Sequence, residues 1–376
     1  MAYWAALFLV LIVGFAIELI TGRKWWRYVL TSVLAVILFA GVVASDFFLR
    51  TVDTEVWSGS VTDWEHKEEW DEWIAGSEEC STDSRGRKSC TKEPGHYEHQ
   101  EAVNKLKTSD NGWFEVSRSM DGRTRFTDRS PNSAAELAKY FPPGTPSASV
   151  HLYVNKVRGS YSLFKHSDID LKDYPDLPEY PSFVSEVLHV DRIVGNVPNR
   201  QNALAALAAW NTELNKAVPD PDHPGEMKSW KQVNLIFVNM GTDLPQAYGY
   251  ALQDKWKNGN KNDFIVSFSP ASDGSMKWVH AFSWSEVDML KLEVQDYITE
   301  QGYGKDFVPI VNHVAQMVAD QFVRKQFADF NYLQIEVSET STYIIWGLEM
   351  FVLLIYLYRC IITFVRQRRD LTYDYS

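Results

Sequence analysis

Residues 231–270 read KQVNLIFVNMGTDLPQAYGYALQDKWKNGNKNDFIVSFSP. Two short apolar runs, Val233–Val238 and Phe264–Phe268, flank a helical stretch from Leu244 to Trp256. A helical crossover of that length joins strands that lie parallel in one sheet, so the segment predicts a strand–helix–strand unit. Leu244, Tyr248, Leu252 and Trp256 recur every four residues and mark the buried stripe of the helix.

Outward from this unit the alternation continues. VDRIVGNV (190–197) leads through Pro198 into a predicted helix from Asn199 to Lys216, with Leu204, Leu207, Ala208 and Leu214 on one face. After Asp273-Gly274, the run Lys277–Phe282 can pair antiparallel with Phe264–Phe268. Val287, Leu290, Val294 and Ile298 mark a further helix, and Ile310, Val314, Met317, Val318 and Phe322 a last one. The expected order is αβαββαα, an α/β sandwich over residues 186–335.

Residues 46–185 read instead as a β-rich domain. Val56–Asp63 alternates as a strand does, whereas Trp64, Trp70 and Trp73 fit neither period cleanly. SRGRK between two cysteines suggests a hairpin tip, and Asp121-Gly122 and Arg158-Gly159 suggest two more hairpins. Ser133–Tyr140 reads as one short helix, stopped by Pro142-Pro143-Gly144, and Pro175, Pro178 and Pro181 as an extended link.

Three runs are apolar enough to cross a bilayer, which takes about 17–25 residues. They occupy 3–20, 28–45 and 342–365. Arg23, Lys24 and Arg27 lie between the first two, and Arg366, Arg368 and Arg369 follow the third in the tail 366–376. The positive-inside rule puts both clusters in the cytoplasm and the middle region outside. The first run has no basic residue before it, which favours a retained span over a cleaved signal. The expected class is therefore a membrane-anchored α+β protein of a plasma or bacterial inner membrane, with a β-rich part, an α/β sandwich and three transmembrane helices.

The net charge is −12, concentrated in the middle region. Such a surface repels nucleic acid, which is excluded as a partner, and attracts divalent cations. Cys80 and Cys90 lie on the side expected to be oxidising, and a disulfide is the favoured reading. A Cys2His2 zinc site with His96 and His99 is the alternative, at a spacing unlike the usual knuckle.

The order of elements from Val190 to Phe330 resembles the TPM domain of membrane-anchored extracytoplasmic proteins. The resemblance rests on VDRIVGNVPNRQNALAALAAWNTEL, on VNLIFV and on KWKNGNKNDFIVSF. It implies a sheet edge suited to metal and phosphate-ester chemistry. Where the family has Asp-Asn-Gly this chain has Asn262-Asp263-Phe264, and AFSWSE replaces a glycine-containing step after the third strand. Phe264, Phe282 and Trp284 put bulk where glycine would let backbone approach a ligand.

Asp263, Asp243, Asp273 and Glu286 are candidate oxygen ligands at strand ends for Ca²⁺ or Mg²⁺, weighed against a role as turn formers and solvated acids. Asp168 and Asp170 have the spacing of a phosphatase pair without its surrounding motif, and His280 is a lone strand histidine. Within the spans, Glu18 and Arg359 fall near the same end and can pair. Glu349 lacks an evident partner and is a candidate contact with a second subunit. No P-loop, Gly-x-Ser-x-Gly, His-Glu-x-x-His or Cys-x-x-Cys is present. The expected function is a non-catalytic assembly or accessory factor that binds another membrane or extracytoplasmic protein, or itself as a homo-oligomer. A metal-dependent phosphatase of the TPM type is the alternative.

Overall fold

The computed structural model describes residues 2–21, 25–82, 86, 88–116, 119–120, 123–124, 131–181, 186–187 and 191–373. Arg23, Lys24, the Asp121-Gly122 turn, most of SRGRK and Val190 lie outside the described residues. The chain divides into two compact units. One comprises Met1–Asp53, Leu152–Lys165 and Gln326–Ser376, the other Thr54–His151 and His166–Lys325. The protein has a mixed α/β fold with several sheets and three long apolar helices.

The larger unit contains a four-stranded sheet in the order Ile193–Val194, Asn234–Asn239, Asp263–Pro270, Met276–Ser283. The first three strands are parallel and the last is antiparallel. Because side chains alternate faces along a strand, Leu235 and Phe237 enter one core while Ile236 and Val238 enter another. The first core is closed by helices Arg200–Leu214, Asp288–Gln301 and Val308–Gln321, the second by helix Ala247–Lys255 and the segment around Ile169–Tyr180. Burial on both faces explains the near-continuous apolar runs in the two parallel strands, interrupted only by Asn234 and Ser267.

The helix Ala247–Lys255 ends in three successive left-handed residues, Lys257, Asn258 and Gly259. A Cβ at position 259 would come within 2.7 Å of Ile265 Cδ1 and 3.0 Å of Asp263 Oδ2. The turn therefore needs glycine there, because its backbone lies directly over the start of the next strand. Residues 217–229 hold a small hairpin of Ala217–Pro219 with Met227–Ser229.

A five-stranded sheet is built on the 16-residue strand Val52–Lys67. Its small core of Val61, Leu106, Val116, Leu137 and Phe141 includes the helix Ala134–Tyr140. Ser133 caps that helix by accepting the Glu136 N–H, while Glu136 accepts the Asn132 N–H. The tryptophan-rich stretch resolves as strand. Trp70–Ile74 pairs with His96–Gln100, and farther along the same ribbon Glu78–Thr82 pairs with Lys88–Lys92.

In the smaller unit, helices Ala2–Thr21, Trp26–Thr51 and Glu339–Tyr373 are long and apolar enough to cross a membrane. Ala6, Val10, Phe39, Ile345 and Val352 pack between them. The hairpin expected at Arg158-Gly159 is a correction: strand Pro146–Val154 is followed by the short helix Lys156–Gly159. The cause is local, since the Asn155 side chain accepts the Arg158 N–H at 3.1 Å and starts a helical turn. Arg158 donates to Val52 O and Asp53 Oδ1, an anchor that a hairpin tip would not make.

Candidate functional site

The carboxylates proposed from the sequence fall at opposite ends of the sheet. Asp263 opens its strand and Glu286 follows the antiparallel one, whereas Asp243 and Asp273 lie near the far end of the Asp263–Pro270 strand. Eight residues separate those ends, about 25 Å of strand. Asp243 and Asp273 act as turn formers. Asp243 accepts the Ser272 hydroxyl and has a positive φ of 61°. Asp273 accepts the Ser275 hydroxyl and N–H, and these bonds, the hydroxyl first, hold its carboxyl below the usual range. Glu286 is exposed. Asp168 is also exposed, and Asp170 caps the turn Leu171–Asp173.

Asp263 is different, because it is fully buried and both carboxylate oxygens are engaged. Oδ1 accepts from Asn234 Nδ2 at 2.8 Å; Oδ2 accepts from the Tyr180 hydroxyl and the Asn260 N–H, each at 2.8 Å. The same Asn234 accepts from Arg192 Nε at 2.5 Å, and Arg192 Nη2 donates to Ser58 Oγ. Arg192 is itself 1% exposed. Burial, then the Asp263 charge, pushes the Tyr180 phenol far above its ordinary value, so it donates and does not ionise.

A second buried acid lies at the same edge. Glu55, 3% exposed, is clamped by Arg324 at 2.8 Å and Lys261 at 3.3 Å. Desolvation is the main cause that lowers the Lys261 ammonium from its ordinary value. Asn262 Nδ2 donates to Val56 O nearby. Glu55, Val56 and Ser58 all belong to the strand Val52–Lys67, so this polar layer fastens that strand to the α/β body. Its chemistry is charge neutralisation and positioning. Neither Arg192, Glu55 nor Arg324 carries a local sequence signal, since their partners lie 134 and 269 residues away.

The sequence also missed a histidine cluster on the other face. Asp254, with a fully buried side chain, accepts His166 Nδ1 at 2.8 Å and the His166 N–H at 3.1 Å. Tyr250 lies between His166 and His280, with ring centroids 5.2 and 4.6 Å away. Gln253 donates its amide to Asn258 and so turns Oε1 toward His280, whose Nε2–H donates to it at 2.7 Å. Burial, aided by the positive charges of His166 and Lys291, pulls His280 down to about 4. Between its ordinary value of 6.5 and about 4, the unfolded chain takes up a proton that the folded chain refuses. Stability contributed by this residue is thus complete well above pH 6.5 and falls by about 3 kcal/mol as the pH drops through that window. Thermal melts of wild type against His280→Gln should diverge in slope between pH 6.5 and 4 and run parallel above. Parallel curves throughout would contradict the assignment.

Cys80 and Cys90 face each other in register and form a disulfide. Among the described residues, the one group of three metal-capable ligand atoms is Glu78, Cys80 and Cys90, and the disulfide occupies both sulfurs. The Cys2His2 arrangement is therefore not formed, and His99 hydrogen-bonds Asp71, which raises its pKa. No catalytic constellation or intact metal site is evident among the described residues. In the apolar helices, Glu18 Oε1 accepts from the Tyr356 hydroxyl at 2.6 Å, and among the described residues no ion pair joins it to Arg359. Glu349 is completely buried within the chain's own bundle. Asp46, unremarked in the sequence, accepts from Ser338 N and Oγ and from Ser341 Oγ and ties two of the apolar helices together.

No protein-family model, no curated protein and no solved structure matches the chain.

Proposed function

We propose that this membrane protein is a non-catalytic accessory factor whose two-stranded ribbon, residues 70–100, docks onto another membrane or extracytoplasmic protein. One observation carries the reading. Nearly every described side chain of the ribbon is exposed, yet it presents Trp73 at 55% and Tyr97 at 70% exposure as a cross-strand pair with ring centroids 4.9 Å apart. A Cβ at Gly95 would collide with the Trp73 ring, so the glycine lets the indole lie over the backbone. Ordered aromatics on a ribbon with no core of its own are the anchors expected of an interface. Acidic residues outnumber basic ones around them, so the partner surface is an apolar cleft with a basic rim.

This reading takes residues 46–185 and 186–335 as β-rich and TPM-type parts held outside the membrane by spans at 3–20, 28–45 and 342–365. The tail 366–376 is cytoplasmic. Disulfide formation at Cys80–Cys90 supports that sidedness.

A photocrosslinker placed beside Trp73 in native membranes should capture one discrete partner. Trp73→Ala with Tyr97→Ala should weaken that capture about 30-fold, the effect of a 2 kcal/mol anchor, with the melting temperature unchanged. Capture that ignores the double variant would refute the docking assignment. Ca²⁺- or Mg²⁺-dependent phosphate-ester turnover, lost on substituting Asp243 or Asp273, would install the phosphatase alternative instead.

A further inference from the structure

A cavity of about 640 Å³ lies along the apolar helices, and its lining is chemically divided. At one end it carries Arg27, Arg359, Arg366 and Glu18. Its walls are apolar, with Leu34 and Leu38 on one helix and Leu348 and Phe351 on another. From Arg27 to Leu38 the groove follows about 16 Å of helix. The carboxylate of Glu18 is half satisfied. Oε1 accepts the Tyr356 hydroxyl, whereas Oε2 is buried without a hydrogen-bond partner. A buried acceptor in an apolar setting is costly unless a donor reaches it.

We propose that this cavity binds a phospholipid with a primary ammonium headgroup, of the phosphatidylethanolamine type. The acyl chain lies along the leucine walls, the phosphate accepts from the arginines, and the ammonium donates to the Glu18 carboxylate, which turns its unpartnered oxygen toward the cavity to receive it. Guanidinium groups suit phosphate because their fork of donors matches its oxygens. Basic pockets between membrane helices are recognised places for lipid headgroups. A wholly anionic headgroup would satisfy the arginines but leave Glu18 facing negative charge. A choline headgroup has no N–H to give it.

The inference rests on the three helices spanning a membrane, and it is independent of whether the ribbon docks on a partner. The full chain in mild detergent is titrated with phosphatidylethanolamine, its mono-, di- and trimethylated forms and phosphatidylglycerol, all with the same chains, and followed by native mass spectrometry. Retention should fall mainly at the last methylation, where the final N–H is lost, by about tenfold between the primary amine and choline, the worth of one charge-assisted hydrogen bond. Glu18→Gln, which keeps an acceptor for Tyr356, should bring that ratio near one. Arg359→Gln with Arg366→Gln should lower retention of every headgroup. Equal retention across the series would mean annular lipid only, and preference for phosphatidylglycerol would mean an anionic-lipid site; either result overturns the proposal. The methylation series needs no variant, so its outcome does not depend on a variant's folding.

Discussion

Asp263→Ala should destabilise the α/β body by about 3–5 kcal/mol, because it removes one charge from a buried network that also holds Arg192. The carboxylate satisfies Asn234, Tyr180 and the Asn260 N–H together. Alanine removes the acceptor that all three share, each unmade bond costing about 1–3 kcal/mol. Asp263→Asn keeps one carbonyl acceptor and should cost less. Circular-dichroism melts of the full chain, together with limited proteolysis between residues 190 and 330, would read the effect. A catalytic carboxylate behaves in the opposite way, since its loss removes turnover and leaves the fold standing. If Asp263→Ala melts with the wild type, the structural assignment of this residue fails.

The contrast between Asp263 and the strands beside it shows where sequence information stops. Leu235, Ile236, Phe237 and Val238 announce a two-sided buried strand by their apolarity alone, and the helix between the strands announces itself by its four-residue repeat. Both signals are local, so the order of elements in the sheet was legible. Asp263 is also a local letter, but its role depends on Tyr180, Asn234 and Arg192, brought together only by the tertiary fold. A buried, hydrogen-bonded aspartate and an exposed metal-binding one are the same residue in sequence. Asp46 and the His166–Asp254 pair illustrate the same point, with partners 292 and 88 residues away. Arg158-Gly159 failed for a different reason: a turn dipeptide signals a hairpin only where nothing competes. Here the Asn155 cap and the contacts of Arg158 favoured a helical turn.

Glu349→Leu should raise the stability of the apolar bundle by about 2 kcal/mol or more. Glu349 begins about 15 Å into its helix, is 0% exposed, and neither carboxylate oxygen has a hydrogen-bond partner among the described residues. Burying such a group without partners costs several kcal/mol, and leucine of similar volume removes that cost while adding apolar contact with the surrounding core. Scanning fluorimetry in detergent should show a higher melting temperature, with Glu349→Gln between leucine and wild type because the amide is uncharged but still polar. The sign of the shift separates two roles. A residue retained for membrane function, with no structural partner, yields a more stable and less active protein when it becomes leucine. A residue that reaches a second subunit by opening the bundle would give the reverse, a loss of stability that grows with protein concentration as the wild-type oligomer forms and the variant does not. A concentration-independent gain would therefore remove Glu349 from any subunit contact and leave it as a polar group that the bundle keeps at a cost.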